Sequence, residues 1–357
     1  MKPLTKLILL LAILFLVVPA GAQEMGKLEP VARSHLQWTG IALAEDGTIF
    51  VNYPLWRGES NSVYVAKVIP PDRAVSYPDV TWNDWELREN SVEENFVCPQ
   101  SVFIDNENNL WVLDTGNPRF GGVIKNAPKL MKIDLADNSI VRIYKFNDFV
   151  LPENGYLNDV RIDTRNNFAY ITDSGAGAII VVNLENGSMR RVLHSHPSTK
   201  AEKIMVNVNG EVWKNPDGSL PQIHADGIAL DPKNEYLYYH ALTGHNLYRI
   251  NTRCLMDEQT SEENLWEKVE FVKETGPADG MVFGGNGRLY ITNLENNSIL
   301  VYNPADNSLE LAVQSSELVW PDSMYADSQG YIYVTTSRIN EGVNPQEPYR
   351  IFRFKTE

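Results

Sequence analysis

The chain is poor in cysteine and in positive charge. Only Cys98 and Cys254 occur in 357 residues, with no CxxC pair, HExxH helix or Cys/His cluster. That leaves no zinc site legible in the sequence. The two cysteines either stand apart as free thiols packed like small hydrophobes or close one very long loop. Lys and Arg total 31 against 46 Asp and Glu, a formal net charge of −15, and no Lys/Arg run exceeds two residues. Such a chain repels nucleic-acid phosphates and anionic lipid heads, so neither nucleic acid nor a membrane surface is expected as a partner. No GxSxG turn exists to present a nucleophilic serine. Long amphipathic helical stretches are missing too. Disorder is excluded, because 16 Tyr, 12 Phe and 8 Trp supply a large core payload.

One apolar run stands out, Leu7 to Val18, preceded by Lys2 and Lys6 and followed by Ala20-Gly21-Ala22. A basic start, a short apolar stretch and a small-x-small site form a secretory signal, and the run is too short to span a bilayer comfortably. The sequence therefore predicts a cleaved leader over 1–22, a secreted or periplasmic mature protein, and no membrane association after cleavage. A single domain over 23–357 is expected, because no linker or low-complexity stretch interrupts the rest.

A phrase recurs along that remainder: a polar residue, a small one, alternating apolar positions, a turn, then an apolar strand. It begins at Thr39, Gln100, Asn158, Asp226, Asp279 and Asp322, at spacings of 61, 58, 68, 53 and 43 residues. Within each copy two period-2 runs flank an Asp/Asn/Gly turn, the chemistry of a β-hairpin. Third and fourth strands follow most copies. Four strands per repeat of this length predict an all-β fold, a six-bladed β-propeller with four-stranded antiparallel blades. The last copy ends at a third strand, Tyr349 to Phe354, with almost no chain left. Leu28 to His35 is strand-like and is expected to supply the missing outer strand, closing the ring.

Propeller geometry then gathers the candidate site. First strands line the central channel, and second strands run back beside them, so the starts of the former and the ends of the latter share a face. The first set is Thr39, Gln100, Asn158, Asp226, Asp279 and Asp322; the second includes Asn52, Asp114, Asp173, His240, Asn293 and Thr336. Ligand-binding roles are expected for Gln100, Asn158, Asp173, Asn293 and Asp322, and acid/base roles for Asp226 and His240, the one imidazole at that level. Close carboxylates raise one another's pKa or take a divalent cation such as calcium. An Asp at a strand start also caps a turn, so structural and functional roles both stay open. Trp82-Asn83-Asp84-Trp85 reads as a packed loop or as an aromatic lid.

The blocks LWVLDTG from Leu110, AYITDSGAG from Ala169, DGIAL from Asp226, LYYHALTGHNLYRI from Leu237 and LYITNLENNSI from Leu289 resemble the yellow/major royal jelly protein family. Similarity to its secreted bacterial branch is greatest, without the extra cysteines of insect members. The resemblance implies a six-bladed propeller; the activities it brings include pigment-pathway dopachrome conversion, amine binding and nutrient storage. A more distant similarity to calcium-dependent gluconolactonases implies a metal held by Asn158, Asp226 and Asp279, with Thr39 where that group has a glutamate. Three functions remain open: a monomeric small-molecule binder with isomerase-type activity, a metal-dependent lactonase, and a non-catalytic interaction propeller.

Overall fold

In each repeat the turn chemistry sets the hairpin. Blade 3 shows how: Leu157–Asp163 runs into a turn where Asn167 takes φ 58° and the Asp163 carboxylate accepts the Asn166 N–H at 3.0 Å. Asparagine tolerates that left-handed backbone, and its neighbour's carboxylate satisfies the turn. Phe168–Asp173, Ala178–Asn183 and Met189–Val192 then return and extend the sheet outward. Burial falls along the same direction, from a wholly buried first strand to a half-buried fourth.

The computed structural model describes residues 26–58, 60–85, 91–342 and 345–356. The leader expected over 1–22 lies outside them. Six four-stranded antiparallel sheets begin with Ile41–Leu43, Pro99–Ile104, Leu157–Asp163, Ala225–Leu230, Met281–Phe283 and Pro321–Ala326. These first strands touch one another in ring order, and the sixth touches the first. The molecule is a six-bladed β-propeller. Closure follows the expected route: Glu29–Ser34 pairs with Tyr349–Lys355 as the outer strand of blade 6. Helix is confined, among the described residues, to two five-residue α-helices, Thr252–Met256 and Glu262–Trp266, and three 3-10 turns. Both cysteines are free, Cys98 buried and Cys254 partly exposed.

The hydrophobic core is divided among the seams between blades. Phe50, Phe96, Val102 and Val112 fill the seam between blades 1 and 2, and comparable clusters fill the other five. Threonines bolt the inner ring at the strand starts. Thr172 accepts the Asp159 N–H at 3.2 Å and donates to the Asp226 carbonyl of the next blade at 2.6 Å. Thr335 does the same between Ser323 and Thr39, at 3.1 and 2.6 Å. Glycine after the leading aspartate permits this closeness, since a Cβ on Gly280 would run into the Asp322 carbonyl oxygen. The repeat phrase of polar then small residue is thus the signature of the blade junction.

A seventh cluster has a different origin. The excursion between blades 3 and 4 carries a small hairpin, Asn207–Val208 with Glu211–Val212, over the face where the first strands start. Its Val206, Val208 and Trp213 pack with Leu242, Leu294 and Trp320 of blades 4, 5 and 6.

Candidate functional site

The strand-start ring is brought together as the repeat register requires, and all six members are buried. Asn158 Nδ2 donates to Asp226 Oδ1 at 2.6 Å, and the indole N–H of Trp320 donates to Asp279 Oδ2 at 2.7 Å. Asp226 and Asp279 stand close enough that the charge of one raises the pKa of the other. Burial, then the charges of Asp279, Asp159 and Asp322, hold the Asp226 pKa far above the ordinary aspartate range. Asp279 is raised by burial and by Asp322, with the Trp320 N–H opposing. Asp322 is pushed up to about 7, chiefly by burial, against the hydroxyls of Ser337 and Ser323. Like charges in a buried site cannot all ionise, so the layer keeps protons at neutral pH.

Thr39 and Gln100 complete the ring differently. Thr39 Oγ1 donates to the Gln100 carbonyl at 2.9 Å and accepts from Asn52 at 2.8 Å. Gln100 Oε1 accepts the Tyr156 hydroxyl at 2.8 Å, and that hydroxyl accepts the Trp56 N–H at 2.6 Å. Phe120, largely exposed, stacks on both Trp56 and Tyr156, with centroids 5.8 and 5.2 Å away. This aromatic stack is invisible as a unit in the sequence, because its members come from three separate loops.

The second-strand ends serve the loops that join blades. Asp114 accepts Val97 N, Cys98 N and Gly116 N and pairs with the buried Lys129 at 3.1 Å. Asp173 accepts Tyr156 N, Gly175 N and Ala176 N and pairs with Arg191 at 2.6 Å. Asn293 ties Thr275 O to Asn296 N. His240 is wholly buried; Nδ1 donates to the Ala241 carbonyl at 2.5 Å and Nε2 lies 3.0 Å from the Thr275 hydroxyl. Burial lowers its pKa to about 4, so the ring is neutral at physiological pH. Neither nitrogen is turned to Asp226. Trp82 to Trp85 is a packed loop, with the Asn83 carboxamide accepting Tyr64 N and Val65 N.

The donor set as arranged does not fit a divalent ion. Asn158 turns its NH2 toward Asp226, Asp279 takes an indole N–H, and the Thr39 hydroxyl is engaged within the ring. Among the described residues no group of three or more His, Cys, Asp or Glu side chains gathers around a common point.

A cavity of 790 Å³ occupies the channel on the other side of this layer and opens on the face of the hairpin turns. Its lining includes Asp159 and Arg161, neither of them among the residues singled out by the repeat phrase. Both lie on the first strand of blade 3, one and three positions past Asn158.

Residues 97–356 match the family profile described as Major royal jelly protein. The chain belongs to that family. Among curated relatives, Major royal jelly protein 6 of Apis mellifera is 27% identical over 240 residues, 64% of this chain and 51% of the relative. Protein yellow of Drosophila madeirensis is 25% identical over 317 residues, 82% of this chain and 54% of the relative. The chain thus spans about half the length of the family members it matches. Solved structures similar to it include a gluconolactonase from Xanthomonas campestris, 11% identical with a TM-score of 0.56, covering 92% of this chain and 90% of that one. A streptogramin B lyase is 13% identical with a TM-score of 0.55, covering 95% and 100%. At these identities the likeness is one of fold, and the family's site must be argued from its residues.

Proposed function

We propose that this family member binds a small, ring-bearing molecule at the strand-start face of the channel and moves protons on it in an isomerase-type reaction. The observation that carries the reading is the buried pair of Asp226 and Asp279, beside Asp322, whose pKa values burial and neighbouring carboxylates raise well above the ordinary aspartate range. Carboxyl groups that keep protons where free aspartates lose them can give one to one substrate atom while a neighbouring carboxylate takes another from elsewhere, leaving the substrate's composition unchanged. The stack of Trp56, Phe120 and Tyr156 beside Gln100 supports a planar ligand. Action outside the cytoplasm as a monomer belongs to the same reading, on the strength of the 1–22 pattern and the acidic surface.

A panel of enolisable ring compounds and lactones, screened by thermal shift and by chromatography for isomers of equal mass, tests it. The expected result is a compound that raises the melting point of the wild type and is isomerised by it. Asp226→Asn and Asp279→Asn keep the side-chain size and the acceptor oxygen, so both fold but lose that shift and turnover. Full retention of the shift in both variants overturns the reading. Lactone hydrolysis abolished by a chelator replaces it with a metal-dependent lactonase, and an inert panel favours a binding propeller without catalysis.

A further inference from the structure

The cavity on the turn face is chemically distinct from the carboxyl pair. Its walls are apolar and aromatic, with Phe103, Phe283 and Tyr325 each partly buried, and its floor is polar. Asp159, 6% exposed, and Arg161, 8% exposed, stand on that floor with their charged atoms 3.6 Å apart, beyond hydrogen-bonding distance. Arg161 is fixed by donating to the Val160 carbonyl at 2.7 Å and the Met281 carbonyl at 2.9 Å, and it lies over the Phe103 ring. Its remaining N–H groups are left over, and the Asp159 carboxylate has acceptor capacity to spare. Buried polar groups with spare capacity facing a cavity call for a partner that donates to one and accepts from the other.

The rim narrows the class. Asp46, Asp105, Asp231 and Asp327 circle the opening, each accepting N–H groups of its own turn, as Asp105 does from Glu107 and Asn109 at 3.0 and 2.9 Å. They give the mouth a negative field that turns anions away. The floor itself is balanced, one carboxylate against one guanidinium. Hydroxyl groups both donate and accept, so adjacent hydroxyls of one ring can give a hydrogen bond to the carboxylate and take one from the guanidinium. Aromatic walls suit the C–H faces of such a ring. We infer that the turn-face cavity is a second binding site, distinct from the carboxyl pair, for a neutral polyhydroxylated ring compound, a mono- or disaccharide seated between Asp159 and Arg161.

Calorimetric titration of the full chain with glucose, maltose, sucrose and trehalose, against glucuronate and glucosamine as anionic and cationic counterparts, tests this. The expected result is saturable binding of at least one neutral sugar and none of glucuronate. Asp159→Asn weakens that binding by roughly tenfold or more, the loss of a charge-assisted hydrogen bond. Phe283→Ala, on the wall and away from the inner-ring bolts, weakens it severalfold and settles the matter if Asp159→Asn does not fold. No binding of any neutral sugar, tighter binding of glucosamine than of the neutral rings, or binding unaltered in the folded variants overturns the inference.

Discussion

His240 offers a measurement in which burial alone sets the outcome. Its imidazole is enclosed between Ala241 O and Thr275 and titrates at about 4 in the folded chain, against an ordinary value of 6.5. Between those two pH values the unfolded chain binds a proton that the folded chain refuses. Stability contributed by the neutral ring is therefore complete above pH 6.5 and is lost as pH falls toward 4. At 1.36 kcal/mol per pH unit the loss is at most about 3 kcal/mol. For a chain of this length, with an unfolding entropy of roughly 2 cal/mol/K per residue, that is a fall of about 4 °C in melting point. His240→Asn keeps a donor for the Ala241 carbonyl and cannot be charged. Thermal melts of both proteins from pH 4 to 8 give the difference curve. The variant is expected to be modestly less stable at pH 8, by about 1–2 kcal/mol for imperfect packing, and to close or reverse the gap by pH 4.5. A gap that stays constant across the series refutes the argument, because His240 would then titrate alike in both states.

Two other perturbations test the packing. Lys129→Met leaves Asp114 buried at the end of its strand without its cation, which should cost about 3–5 kcal/mol and show as a lower urea midpoint at unchanged slope. Gly280→Ala pushes a methyl group into the Asp322 carbonyl across the junction of blades 5 and 6, so a loss of about 1–3 kcal/mol is expected in the same assay.

The architecture was legible because every copy of the repeat carries the same physical solution. The polar residue starting each first strand, the small one after it and the Asn/Asp/Gly turn are each required by the blade junction or the hairpin, so their recurrence counts blades. Even the split last blade could be read from an unpaired third strand and a spare strand at the other end. The candidate site was legible only in part. A ring position announces itself by register, which is how Asp226, Asp279 and Asp322 were found, but Asp114, Asp173 and Asn293 have the same kind of register and spend their oxygens on loop N–H groups. Trp320 escaped notice because nothing in a sequence marks an indole at φ 53° whose N–H crosses to the neighbouring blade. Asp159 and Arg161 were hidden for the opposite reason, since Asp159 replaces the small residue of the repeat and Arg161 an apolar one in a single blade. The face on which the channel opens widely depends on loop volume, which periodicity does not encode.

The way blade 6 is completed also determines how the ring answers to force. Glu29 lies opposite Arg353 and Ser34 opposite Tyr349, so the two ends of the chain leave the sheet side by side at one edge of the strand pair. Tension applied to the termini peels these strands apart one rung at a time, like a zipper, instead of sliding them past each other with all rungs loaded together. The strand pair that closes the ring, joining residues 324 positions apart through the Glu29–Arg353 contact, is for that reason the one loaded first when the ends are pulled.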